Sequence, residues 1–458
     1  MTERLTLADK AYIWHPFTQM AGWLADEQVI IDSAEGFCLI DTRGRRYIDG
    51  VSSLWCNVHG HCVKRIDDAV REQLGKVAHS TLLGLGQTKS IILAEKLVEI
   101  APRGLRKVFY SDSGATSVEI AIKMAYQYYR NKGVKGREKF IALGESYHGD
   151  TIGSASVGGI ELFHSIFRPL LFEAFFVPSP HPYRFEGSAE QCARYSLEKM
   201  EEILREHGSE IAGVVIEPLT QAAAGMIVHP QGFLRQVREL TTKYDVLLVA
   251  DEVATGFGRT GKMFACQKEA VVPDIMCLAK GITGGYLPLA ATLTTQKIFD
   301  AFLGQISEHK TFYHGHTYTG NALGCAAAIA SLELFAENKV LESLPVKIAM
   351  IKEYFEKIRE LAFVGDVRQC GMMGGIEIVR GKATKEPFAR EHAVGTKVCK
   401  VMRSKGAMMR PLGDVIVLMP PIAIDPDLLR RLLDIVYDTL ENDLERIIQG
   451  LGFSLVSF

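Results

Sequence analysis

Three observations predict an α/β fold with a largely parallel sheet. Short apolar runs alternate along the chain with segments of helical period, as strands do when crossover helices separate them. Gly213–Ile216, Val246–Ala250 and the run from Asp274 to Ala279 are apolar without alternation, as strands buried on both faces are. Two of these runs end abruptly in opposite charges, Asp251-Glu252 and Lys280, each followed by glycine-rich backbone. Ligands of open α/β sheets lie at the carboxyl ends of the strands.

Bulk properties narrow the function classes. The 458 residues can bury a large core, and 47% hydrophobic with 23% charged residues is ordinary for a globular protein. A net charge of −2 provides no basic field for nucleic acid or an anionic membrane. No apolar run approaches the roughly 20 residues that span a bilayer, and Met1–Lys10 is too polar for a signal peptide. The nine cysteines are scattered without CxxC or Cys/His spacing, so reduced thiols, a cytoplasmic location and no metal are expected.

Taken in order, Asp41–Asp49 predicts two short strands around a turn at Arg43-Gly44. Ser52–His61 carries histidines but no complete set of metal ligands. Ser90–Ile100 predicts an amphipathic helix and Lys107–Tyr110 a strand. Ser111–Thr116 predicts a turn before a helix over 118–130; strand, Ser/Gly turn and helix start together make an anion site, a pattern many loops share. Phe140–Leu143 predicts a strand leading to Tyr147 and His148, residues 178–192 a loop, and 197–207 a charged helix. Gly213–Ile216 ends at Glu217, which reads either as a solvated charge or as a group near a ligand. The run 287–294 returns to the sheet. Glycine and hydroxyl residues in 313–321 precede a small-residue helix over 322–335, again suited to a phosphate. Beyond about 336 come charged helices (347–361) and short strands (375–379), with Arg410 in a loop next to Pro411.

A lysine at a strand end reads equally as a surface residue or as a Schiff-base lysine with an aspartate partner for a pyridinium nitrogen. Burial and cationic neighbours readily lower a lysine pKa, which frees the amine as a nucleophile. Asp251-Glu252-Val253-Ala254-Thr255-Gly256-Phe257-Gly258-Arg259-Thr260-Gly261, with the Lys280-Gly281 step, closely resembles the pyridoxal-phosphate signature of class III (ω-type) aminotransferases. Within the class, Trp14-His15-Pro16-Phe17-Thr18-Gln19-Met20 resembles the branch that serves biotin synthesis, and the likeness extends over essentially the whole chain.

The resemblance implies a fold-type I pyridoxal-phosphate enzyme. Its large domain, 60–335, would hold a mostly parallel seven-stranded sheet, and a small α+β domain would form from 1–59 and 336–458. It implies pyridoxal 5'-phosphate as cofactor, with Lys280, Asp251 and Tyr147 as the catalytic set. Gly114, Ala115, His316 and Thr317 would join these three around the cofactor. Phe17, Leu54, Trp55, Gly315 and Arg410 would meet substrate beside Tyr147 and Lys280, with Arg410 as a carboxylate clamp. The implied partners are 8-amino-7-oxononanoate, an amino donor and a second copy of the chain, Thr317 reaching the neighbouring subunit's phosphate. S-adenosylmethionine is the family's usual donor. Phe17, Leu54 and His316 depart from the tyrosine, tryptophan and proline common there, and L-lysine is the alternative donor. Another ω-aminotransferase, or a pyridoxal-phosphate mutase or racemase, shares the cofactor motif.

Overall fold

The computed structural model describes residues 1–453. Its centre is a seven-stranded sheet. In chain order the strands are β1 (Leu105–Ser111), β2 (Lys139–Leu143), β3 (Phe175–Val177), β4 (Ile211–Ile216), β5 (Leu247–Asp251), β6 (Ile275–Leu278) and β7 (Ala290–Thr295). They lie in the order β1-β7-β6-β5-β4-β2-β3. Only β7 runs against its neighbours, pairing antiparallel with both β6 and β1; the other pairs are parallel. Every residue of β4, β5 and β6 is buried, which is why their sequences are apolar throughout rather than alternating.

Helices cover both faces of the sheet, and two of them begin earlier than the sequence suggests. α1 (Gly114–Asn131) starts inside the expected Ser111–Thr116 turn, because Ser113 and Thr116 form a reciprocal capping box. α2 (Ala189–His207) takes in residues 189–192 of the expected loop and the stretch up to 196. Its start is set by a second capping box, Ser188 with Gln191. α3 (Phe233–Lys243) follows, and α4 (Ala322–Glu337) is buried along most of its length, consistent with its small residues.

The two chain ends meet. A sheet of Ile31–Glu35, Cys38–Asp41 and Arg46–Asp49 gains a fourth strand from Ala407–Met408, with Ala407 opposite Ile48. Beyond α5 (Val340–Arg359), an antiparallel sheet contains β8 (Val364–Cys370), β9 (Met373–Ile378), β10 (Arg410–Leu412) and β11 (Val415–Leu418), in the order β8-β9-β11-β10. α6 (Pro426–Asn442) packs on α5. Arg410 therefore stands on a strand rather than in a loop, paired with Val417. Pro411 is compatible with this because β10 is an edge strand, where a missing N–H breaks no ladder. No helix among the described residues is long and apolar enough to cross a membrane.

Ser188→Ala removes one half of the α2 capping box. It is expected to cost about 1 kcal/mol, a fall of roughly 2 °C in Tm, with kcat unchanged. Calorimetry of the variant checks this, and an unchanged Tm would mean the cap does not set the helix start.

Candidate active site

Parallel pairing of β5 with β6 puts Asp251 opposite Cys277 at the carboxyl edge of the sheet. Lys280 follows in a 3-10 turn, Lys280–Thr283, so it is not on flexible backbone as the glycines suggest. Its own φ is +44°, a left-handed conformation that non-glycine residues seldom adopt. Asp251 and Lys280 line one cavity of about 800 Å³ together with Leu54, Trp55, Gly114, Ala115, Tyr147 and Glu217.

The segment after Asp251 is held by polar contacts. Val253 N–H donates to Asp251 Oδ1 at 3.0 Å, and His148 Nδ1 lies 2.7 Å from Asp251 Oδ2. Glu252 is fully buried and accepts from Thr255 Oγ1 and from the N–H groups of Ala265 and Cys266. Buried Arg259 donates to the carbonyls of Trp55, Asn57 and Pro420. It thereby ties the glycine-rich signature to the pocket wall. That wall is strained: Ser52, Ser53 and Trp55 all have positive φ (52°, 60° and 66°). The Asp49 carboxylate accepts from Ser53 N–H with both oxygens, at 2.9 and 2.8 Å. An uncapped segment of this kind would cost about 1–3 kcal/mol per strained residue.

Burial shifts the Lys280 amine toward its neutral form. Burial lowers the Lys280 pKa below the ordinary 10.5, while the nearby Asp251 and Glu217 charges act the other way. Burial pushes the Glu217 carboxyl up to about 7, against His148 and the two backbone groups it accepts from, Tyr147 N–H at 3.0 Å and Ala222 N–H at 2.9 Å. Glu217 is thus held by backbone and pairs with no arginine within ion-pair distance among the described residues. Tyr147 donates its hydroxyl to Asp150 at 2.7 Å, and burial holds its phenol protonated.

These residues fit pyridoxal phosphate. Lys280 supplies an amine with a lowered pKa, Asp251 an acceptor for a ring N–H, and Tyr147 a flat face for the ring. The first N–H groups of α1, on Gly114 and Ala115, have no acceptor within the helix and border the same cavity. A Cβ at 114 would meet Val253 Cγ1 at 2.6 Å, so a larger residue there would have to displace the Val253 side chain.

The other expected site residues lie outside that lining. Phe17 is exposed, with its ring 5.2 Å from Phe163 and 6.5 Å from Tyr147. Arg410 is half-buried near Tyr147, and among the described residues it has no hydrogen-bond or ion-pair partner through its guanidinium. Thr317 accepts through its carbonyl from His79, and His316 Nε2 lies 3.8 Å from Asp112 of the cavity wall. A Cβ added at Gly315 would meet only Thr319 Oγ1, at 3.8 Å. Sequence reasoning missed Asp150, Asp49 and Phe163. Asp150 alone left a signal, three residues after Tyr147. Among the described residues no group of His, Cys, Asp and Glu could hold a metal ion.

The family description "Aminotransferase class-III" matches residues 22–440. The chain belongs to the class-III aminotransferases. Two curated proteins resemble it closely, both named adenosylmethionine-8-amino-7-oxononanoate aminotransferase. That of Geobacter sulfurreducens is 51% identical over 98% of this chain and 99% of its own. That of Aquifex aeolicus is 55% identical over 93% and 94%. The crystal structure of an enzyme with the same name from Methanocaldococcus jannaschii superposes with a TM-score of 0.92 at 48% identity, covering 96% of this chain and 99% of that one. A pyridoxal-phosphate-bound amine transaminase from an uncultivated Pseudomonas species gives 0.90 at 33%, covering 94% and 98%. The seven-stranded, mostly parallel sheet of this class-III aminotransferase is that of a fold-type I enzyme.

In cofactor-free protein, labelling of the Lys280 amine by a small amine-reactive probe should rise with pH to a midpoint below 10.5. Only the neutral amine attacks, and burial favours it. Peptide mapping across a pH series measures the midpoint; one at or above 10.5 would contradict a desolvated amine.

Proposed function

We propose that this aminotransferase uses pyridoxal phosphate to convert 8-amino-7-oxononanoate to 7,8-diaminononanoate in biotin synthesis. The observation that carries the reading is the placement of Lys280 and Asp251 on the wall of one cavity, in a chain about half identical to curated relatives that bear this substrate's name. Pyridoxal phosphate, when bound, would supply the electron sink for moving an amino group from one substrate to the next.

The chain's own residues do the rest. Lys280 Nζ removes the proton from the amine-bearing carbon of the donor and later delivers one to the former ketone carbon of the acceptor. Asp251 would accept from the ring N–H, Tyr147 would cover one ring face, and the Gly114 and Ala115 N–H groups would hold the phosphate. Trp55 lines the same cavity, with Lys280 Nζ 5.3 Å from its ring centre. One pocket serves donor and acceptor in turn, so kinetics are ping-pong. S-adenosylmethionine is the donor of this reading. L-lysine is the second candidate, because Leu54 is an exposed aliphatic where a bulky sulfonium would gain from an aromatic face. The unpaired cysteines agree with a cytoplasmic enzyme, which cell fractionation tests.

The chain works as a homodimer in this reading. Thr317, His316 and Gly315 stand outside their own cavity, and the loop around them exposes Tyr313 (79%) and Tyr318 (61%). A partner copy would cover these rings and place Thr317 at its own phosphate.

Three results are expected. Enzyme supplied with 8-amino-7-oxononanoate and S-adenosylmethionine yields diaminononanoate by mass spectrometry. Product with lysine alone would transfer the donor role, and no product with any donor would remove the biotin reading. Arg410→Ala loses very roughly 10- to 150-fold in kcat/KM for carboxylate-bearing substrates, from about 1.5–3 kcal/mol of charged hydrogen bonding, and spares simple amines. An equal loss for both would contradict the clamp. Mixing subunits of Lys280→Ala and Thr317→Ala restores the turnover at limiting cofactor that each lacks, because one hybrid site is intact. No recovery in exchanged dimers would place Thr317 outside the partner's site.

A further inference from the structure

One row of residues runs straight across the antiparallel sheet of β8 to β11. Arg368 on β8 lies opposite Gly375 on β9, Gly375 opposite Val417 on β11, and Val417 opposite Arg410 on the β10 edge. Residues directly opposite in antiparallel strands present their side chains on the same face. The two arginines therefore end one row on one face, about 14 Å apart at about 4.8 Å per strand.

That face rests on the segment that follows Glu217. Gly375 allows the close approach: a Cβ there would meet the Gly225 carbonyl oxygen at 3.0 Å and Met226 Cβ at 3.1 Å. Val417 is buried in a cluster with Trp55, Ala222 and Met226, and Trp55 and Ala222 also line the cavity. Arg410 closes the row near Tyr147. At the other end, buried Arg368 donates twice to the Gly225 carbonyl, through Nε at 3.1 Å and a terminal nitrogen at 2.8 Å. Its other terminal nitrogen donates to Asp366 Oδ2 at 3.0 Å and to Glu377 Oε2 at 2.5 Å. Glu377 also accepts from Arg184. The guanidinium thus joins two carboxylates of the sheet to a backbone carbonyl 143 residues away.

We propose that Arg368 is a positioning residue: by gripping the Gly225 carbonyl it fixes the sheet against the cavity wall, and so sets where the Arg410 guanidinium meets a substrate carboxylate. This deepens the carboxylate-clamp reading and rests on it. Arg368 touches no substrate and acts through Arg410. Well-packed apolar side chains could replace a buried ion pair at little cost in stability, so stability alone does not account for the network. What the network adds is register. Apolar contacts tolerate a small slide of one surface over another, whereas a planar fork on one carbonyl does not.

The test compares 8-amino-7-oxononanoate with its methyl ester, which keeps the amino ketone and loses the charge, in cofactor-loaded enzyme. Arg368→Met should lower kcat/KM for the acid roughly tenfold, chiefly through KM, and leave the ester within about twofold of wild type. Arg368→Lys keeps the charge without the fork and should fall between the two. In an Arg410→Ala background, Arg368→Met should cost the acid less than about twofold more, because the group it positions is gone. Equal losses for acid and ester, or the full loss repeated on top of Arg410→Ala, would overturn the proposal. Should Arg368→Met not fold, Glu377→Gln keeps its shape and weakens the hold on Arg368. It should show the same preference at smaller amplitude, and equal treatment of acid and ester by it would equally overturn the proposal. An Arg410→Ala enzyme that itself treats acid and ester alike would refute the clamp reading and this proposal with it. Discrimination lost in Arg410→Ala but kept in Arg368→Met would refute this proposal alone.

Discussion

The pairing of two neighbouring parallel strands is the constraint on which the site depends. Register fixes Asp251 opposite Cys277, and three residues later Lys280 opens a 3-10 turn. A carboxylate and an amine thus reach one cavity from adjacent strands without a long loop. A slip of one residue in that register would turn every side chain of the buried strand to the opposite face. The unbroken burial of β4, β5 and β6 opposes such a slip, because the sheet is packed on both sides. The same burial lowers the pKa of Lys280, so folding and chemical activation share one physical cause.

Charges at the end of a buried sheet are costly unless each has partners. Here most of those partners are backbone groups. Glu217 takes two N–H groups, Glu252 takes two N–H groups and a hydroxyl, and Arg259 gives to three carbonyls. The Arg259 bonds connect the signature to the strained Ser52–Trp55 wall and to the chain near Pro420, and the Glu217 bonds tie the end of β4 to Tyr147 and Ala222. The cavity is therefore held by segments far apart in sequence, and its shape is tied to the closure of the two chain ends around the sheet.

Six of the seven central strands and the placing of Asp251 and Lys280 at the ends of β5 and β6 were legible in the sequence, because apolar runs and abrupt terminal charges are local signals. The beginning of α2 was hidden by the prolines and glycine of 178–187, although Ser188 and Gln191 spell a capping box. Arg410 read as loop because Pro411 is a strand breaker in general; its place at a sheet edge is a tertiary fact. The glycines after Lys280 suggested flexibility, yet Gly285 is fitted against Asn57, where a Cβ would come within 3.0 Å. Partners such as His148 with Asp251, or Arg259 with the Trp55 carbonyl, join residues more than 100 apart in the chain and leave no local trace.

The central claim is that the amine at the end of β6 carries the cofactor. Borohydride reduction of the pyridoxal-phosphate-loaded protein, followed by proteolysis and mass spectrometry, tests it most directly. The reduced adduct is expected on the peptide that contains Lys280. An adduct confined to any other lysine would contradict the site built here on Asp251 and Lys280.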